Sequence, residues 1–159
     1  MIGTDLMATL AVPQGFPDPE GQTNNRRVLA AIVAGLAPPP PCPARFTLPT
    51  PETWSYGRLS GTAHPTAADV WASGLTFGGY LACVVDEFAG LVMLSVLPDG
   101  ATFLTAGLTI DLHAPMRAGE VTIGAEVIRL TGRDATVEVT IGQRDRIVSL
   151  ATARQVIRP

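Results

Sequence analysis

Residues Gly78–Leu97, GGYLACVVDEFAGLVMLSVL, decide the fold. Two glycines open the stretch, apolar side chains fill nearly all of it, and Asp86 and Glu87 interrupt its middle. A helix apolar on every side belongs at the centre of a domain, covered by other elements. A carboxylate at the midpoint of such a helix is costly to bury without a partner or a task. Asp86 is therefore the first candidate for function. The stretch is long enough to span a bilayer, but two adjacent acids at mid-membrane cost on the order of 2.5–3.5 kcal/mol each. A buried helix of a soluble domain is the expectation, with no membrane partner.

Downstream, Pro98-Asp99-Gly100 is a turn, and strand signals follow four times. In Thr102–His113, alternation sets Leu104, Ala106, Leu108, Ile110 and Leu112 against Thr105, Thr109 and Asp111. Val121, Ile123, Ala125 and Val127 alternate with Thr122, Gly124 and Glu126. Ala135, Val137, Val139 and Ile141 alternate with Thr136, Glu138 and Thr140, and Ile147–Ile157 is the last strand. Short turns between alternating segments imply an antiparallel meander with one buried face.

Upstream, Tyr56–His64 alternates and reads as a first strand, after a proline-punctuated lead-in over Phe46–Trp54. Residues 1–22 form a Pro- and Gly-rich arm. A short helix over Asn25–Ala37 presents Val28, Leu29, Ile32, Val33 and Leu36, and Pro38–Pro41 stop it. The run PPPPCP is a stiff extended spacer. The chain thus divides into an arm with a helix, 1–45, and a domain, 46–159. The domain is α+β, a long central helix wrapped by a five-stranded antiparallel sheet. The extra helix has two places to go: the sheet's outer face or a pocket mouth. A sheet of this size leaves edges, so a homodimer or homotetramer is expected.

Composition narrows the function. A chain of 159 residues holds one domain with a proper core. Net charge is −3, lysine is absent and no basic block exists, which argues against nucleic acid as a partner. Cys42 and Cys83 make neither a CxxC nor a zinc spacing, and two separated thiols suit a reducing cytosol. The first residues carry an acid and no basic region, so no signal peptide is expected and the location is expected to be cytoplasmic. His64 and His113 stand beside prolines at strand ends without metal spacing, so no metal is expected. No serine sits in a G-x-S-x-G elbow.

The loop before the helix reads Gly74-Leu75-Thr76-Phe77-Gly78-Gly79, followed by Asp86 and Gly90. Glycines at a helix start leave backbone N–H groups bare and admit a ligand closely. The helix dipole favours negative charge there, so such a terminus can act as an oxyanion hole. Asp86 lies eight residues beyond Gly78, about 12 Å along the axis. One helix cannot bring both to the same carbonyl; two helices side by side can.

This order of elements and this motif resemble the hotdog fold, and more narrowly the PaaI-like acyl-CoA thioesterases. Their signature is G-x-x-H-G-G running into the helix, then D-x-x-x-G. The resemblance covers roughly residues 55–157, including DLHAPMRAGEVTIGAEVIRLTGRDATVEVTI. It implies a thioesterase that hydrolyses an acyl-CoA or aryl thioester. Coenzyme A would be part of the substrate, and no other cofactor is implied. The Gly78 N–H of one subunit would hold the thioester oxygen, and Asp86 of the other would act as general base or nucleophile. A strand hydroxyl, of Thr102 or Thr105, would assist. Phe77, Gly79, Trp71 and Tyr80 would line the acyl pocket, and Arg117 and Arg133 would meet the phosphates. Two family positions differ: Phe77 replaces the motif histidine, and Trp71 an asparagine six residues earlier. A non-catalytic hotdog module that binds acyl-CoA or another apolar ligand is the alternative.

Overall fold

The computed structural model describes residues 24–36, 48–70 and 73–159. Along the chain lie α1 (Asn24–Val33), β1 (Pro51–Ser55), β2 (Arg58–Ala63), a 3-10 turn (Ala67–Asp69) and α2 (Gly78–Met93). Then follow β3 (Thr102–Leu112), β4 (Val121–Leu130), β5 (Asp134–Gln143) and β6 (Arg146–Arg158). The strands make one antiparallel sheet in the order β1-β2-β4-β5-β6-β3. The expected arm over 1–22, the PPPPCP spacer and Cys42 lie outside the described residues.

The sheet has six strands where the sequence suggested five. The extra one, β1, comes from the lead-in, whose prolines mask it as a strand. Pro51 stands at the first position of an edge strand, where a missing N–H is tolerated. The hairpin turns at Tyr56-Gly57, with Gly57 at φ 72°. That left-handed conformation favours glycine.

The long helix α2 packs its apolar side on the sheet. Tyr80, Leu81, Val84, Val85, Phe88, Ala89, Leu91, Val92 and Met93 are buried. They meet inward side chains such as Ile123, Val137, Val139 and Ala153. At the centre, the Phe88 ring sits so close to Gly61 of β2 that a Cβ there would come within 3.1 Å of it. The helix is not wrapped on all sides, as its sequence suggested. One strip stays uncovered, with Asp86 exposed and Ala82, Cys83, Glu87 and Gly90 half-buried. A single curved sheet reaches only one side of a helix, so the opposite strip needs another cover.

Helix α1 takes neither of the two places the sequence offered. It closes the C-terminal end of α2. Leu29 and Ile32 join the main core, while Val28 and Leu36 of the expected apolar face stay exposed. Gly35, at φ 70°, ends the helix. Arg26 is buried; its Nε donates to Ser95 O at 3.0 Å, and its guanidinium lies 4.9 Å from the Tyr56 ring centroid. Ser95 Oγ in turn accepts the Gly57 N–H at 2.9 Å and donates to Val92 O. Asn25 Nδ2 reaches Pro98 O at 3.0 Å. Among the described residues no helix is long and apolar enough to cross a membrane.

Candidate active site

The loop from β2 to α2 is tied down before it reaches the helix. Asp69 Oδ2 accepts both the N–H and the hydroxyl of Thr66 at 2.8 Å, closing the 3-10 turn. Val70 and Thr76 form a bridge, and the Thr76 N–H donates to Met116 O at 2.9 Å. Trp71 lies outside the described residues. Gly74 turns the loop at φ 74°. Phe77 is the N-cap, with an extended backbone and no side-chain cap bond. The first N–H groups of a helix lack intrahelical partners, and here those belong to Gly78 and Gly79.

The two glycines differ. A Cβ on Gly79 would lie 2.3 Å from the Phe77 ring, which folds back over the first turn. A Cβ on Gly78 would meet nothing within 4 Å. Gly79 thus makes room for Phe77, whereas no neighbour among the described residues requires Gly78 to be glycine. The Phe77 side chain is 44% exposed beside this bare terminus. Tyr80 turns the other way, into the core, where burial and then the charge of Asp69 push its phenol above the ordinary value.

Asp86 sits mid-helix on the uncovered strip, and the Thr105 hydroxyl donates to its Oδ1 at 2.8 Å. A bulge between Thr105 and Gly107 makes this possible. Simple alternation put Thr105 on the face opposite Leu108 and Ile110. The bulge shifts the phase by one residue, so Phe103, Thr105, Leu108 and Ile110 all pair with inward positions of β6. Leu104 consequently faces out. Arg154 Nη2 donates to Ala106 O at 3.2 Å across the bulge. Of the two candidate hydroxyls, the structure brings Thr105 to Asp86. Gly90, one turn on, faces the Phe103 ring, which a Cβ would approach to 3.5 Å.

Glu87 shares the strip. Its Oε1 is buried without a hydrogen-bond partner among the described residues. Burial first, and the neighbouring Asp86 charge second, raise its carboxyl above the ordinary value.

Arg117 and Arg133 stand at opposite ends of the domain. Arg117 is near the α2 N-terminus: Nη1 would lie 3.6 Å from a Cβ on Gly74. Gln143 clamps its backbone, Oε1 accepting its N–H at 3.0 Å and Nε2 donating to its carbonyl at 2.8 Å. Arg133 is in the β4–β5 turn, where its carbonyl accepts the Ile157 N–H at the other end of the sheet. The Gln143 clamp also brings Arg144 and Arg146 beside Arg117 in one groove with Pro115 and Val148. The three arginines become neighbours because the β3–β4 connection folds against the β5–β6 turn. Among the described residues, no group of three His, Cys, Asp or Glu side chains could hold a metal.

Residues 73–149, which include the helix and most of the meander, match the family model described as thioesterase superfamily. A phenylacetic acid degradation-related protein from Ralstonia eutropha JMP134 superposes with TM-score 0.71 and 25% identity, over 81% of this chain and 98% of that one. In fold and in matched sequence, the chain is similar to the PaaI-like hotdog thioesterases. A hypothetical thioesterase protein from Streptococcus pneumoniae TIGR4, solved with coenzyme A, shares 23% identity at TM-score 0.66, over 72% of this chain and 89% of its own. A Streptococcus mutans UA159 protein bound to acetyl-CoA shares 21% identity at TM-score 0.65, over 71% and 90%. No curated protein matches the sequence.

Proposed function

We propose that this hotdog protein hydrolyses an acyl-CoA or closely related thioester at a site shared by two subunits. One observation carries the reading: Asp86 stands on the uncovered strip of α2 with one oxygen held by Thr105 at 2.8 Å. An exposed acid in mid-helix, oriented by a strand hydroxyl, is arranged for proton transfer. The second subunit is argued from β3. It is an edge strand of eleven residues, and Leu104, Leu108 and Leu112 along it are exposed. Such an edge invites another strand. A two-fold that pairs β3 with β3 of a second copy continues the sheet and covers the strip of each α2 with the other. The two helices then run antiparallel, and the bare Gly78 terminus of one comes beside Asp86 of the other.

In this scheme Asp86 Oδ2 takes a proton from water as the water oxygen bonds to the thioester carbon. The carbonyl oxygen gains the negative charge and accepts the Gly78 N–H. Collapse of this intermediate breaks the carbon–sulfur bond, and the proton on Asp86 goes to the departing thiolate. The arginine groove around Arg117 lies at the same end as Gly78 and suits the phosphates of coenzyme A. Solved relatives that carry coenzyme A or acetyl-CoA support that substrate class. Phe77 and Gly79 border the acyl entrance.

The test is Asp86→Asn, which keeps the shape and removes the base. Thiol release from a panel of acyl-CoAs should fall about 10²- to 10⁴-fold, with unchanged circular dichroism. Full turnover in the variant would remove Asp86 from the mechanism. Binding of acyl-CoA by the unaltered protein, with no thiol release from any of the panel, would replace hydrolase with binder.

A further inference from the structure

Gln155 is 0% exposed, and neither Oε1 nor Nε2 of its carboxamide has a hydrogen-bond partner among the described residues. It follows Ala151 and Ala153 in the inward phase of β6, on the side of the sheet that α2 covers. A carboxamide buried in this way has lost its water without replacement, and an apolar side chain of the same length would avoid that cost. Its cross-strand neighbours are Thr105 on β3 and Ala135 on β5. Only Thr105 carries a polar side chain, and paired residues hold their Cβ atoms about 4.5–5.5 Å apart. Thr105 is the residue whose hydroxyl donates to Asp86. A hydroxyl that has given its proton keeps lone pairs that can accept one. The orphaned amide therefore stands beside an acceptor that has room for it.

We propose that Gln155 is a positioning residue for Asp86, acting through Thr105. A turn of the carboxamide lets Nε2 donate to Thr105 Oγ1 while Thr105 donates to Asp86 Oδ1. Two bonds in series polarise each other. They commit the hydroxyl proton to Asp86, fix one carboxylate oxygen and leave the other for the attacking water. The kinetic consequence rests on the thioesterase reading above; the hydrogen bond does not.

The test uses Gln155→Met and Thr105→Val, singly and combined, in the full-length protein. Methionine fills the same space without a polar group, so the thermal midpoint should hold or rise. On the best acyl-CoA of the panel, Gln155→Met should lower kcat about 10-fold with KM unchanged. Because Gln155 acts only through the hydroxyl, the double variant should be no slower than Thr105→Val alone. Full kcat in Gln155→Met, or losses that multiply in the double variant, would overturn the proposal. The side-chain amide resonance of Gln155 gives a readout that needs no turnover. A bonded amide proton shifts downfield and exchanges slowly, and Thr105→Val should abolish both. An amide signal indifferent to Thr105→Val overturns the proposal. An amide signal that responds, in a protein that hydrolyses no thioester, overturns the thioesterase reading alone.

Discussion

The two ends of α2 are built in opposite ways. At the C-terminal end, Arg26, Tyr56, Gly57 and Ser95 stitch helix, hairpin and α1 together through buried contacts, and Asn25 adds an exposed bond to Pro98 O. At the N-terminal end, the N-cap Phe77 makes no side-chain cap bond, no acid occupies the first turn, and a Cβ on Gly78 would meet nothing within 4 Å among the described residues. Burying and bonding the last turns anchors the helix, so its first turn can stay uncapped without loosening the fold. Side-chain bonding is concentrated at one end, and the groups suited to developing negative charge are at the other.

Of the two ends, the open one has the larger expected effect on turnover. Gly78→Pro removes one N–H and little else. Proline is favoured at the first helical position, and Phe77, at φ −66° and ψ 130°, already has the extended backbone that a following proline demands. Thiol release should fall about 10²- to 10³-fold, the usual result of losing one oxyanion donor. The thermal midpoint should not fall. Gly78→Ala, which adds a Cβ and keeps the N–H, separates donor loss from crowding: it should stay well above the proline variant in kcat. Equal losses in both would assign Gly78 to close approach of the substrate rather than to charge stabilisation.

The closed end should respond the other way. Leu29 of α1 is fully buried in the main core. Leu29→Ala should cost about 2 to 5 kcal/mol of stability by chemical denaturation. Turnover measured well below the melting temperature should stay within about twofold, since in the proposed site the reacting atoms lie at Gly78 and Asp86, away from this end. A large kcat loss in the folded Leu29→Ala variant would mean that the two ends are coupled, and the contrast between them would fail.

The sequence discloses the closed half of this contrast poorly and the open half well. Gly78, Gly79 and Asp86 stand out because glycine and carboxylate are out of place in an apolar helix. Strands β4 to β6 are legible because alternation and tight turns persist through them. The bulge in β3 is not legible: one unpaired residue moves Thr105 to the side of Asp86 and leaves the pattern of residue types unchanged. Nor does the sequence show α1's destination, because an amphipathic helix says that it needs a cover and not which one. The half-covered state of α2 has the same origin. Gln155 carried a signal that alternation alone could have found, an amide in phase with Ala151 and Ala153.

Between the two ends lies Glu87, and the smallest expected effect is there. Burial holds its carboxyl above the ordinary value of 4.5, and the Asp86 charge adds to the shift. Between that ordinary value and its raised value in the folded chain, the native state binds more protons than the unfolded state. Stability contributed through this group therefore falls as pH rises across that window and stays reduced above it. Glu87→Gln removes the penalty. The variant should melt slightly higher than the parent at pH 7.5, and the difference should shrink as pH falls below the ordinary value of 4.5, where Glu87 becomes protonated in both states. Because burial outweighs the Asp86 charge, most of the gain should survive in an Asp86→Asn background. A gain lost entirely in that background would make charge repulsion within the acidic pair, and not desolvation, the dominant cause. The uncovered strip would then be wetter than the contrast between the ends of α2 requires.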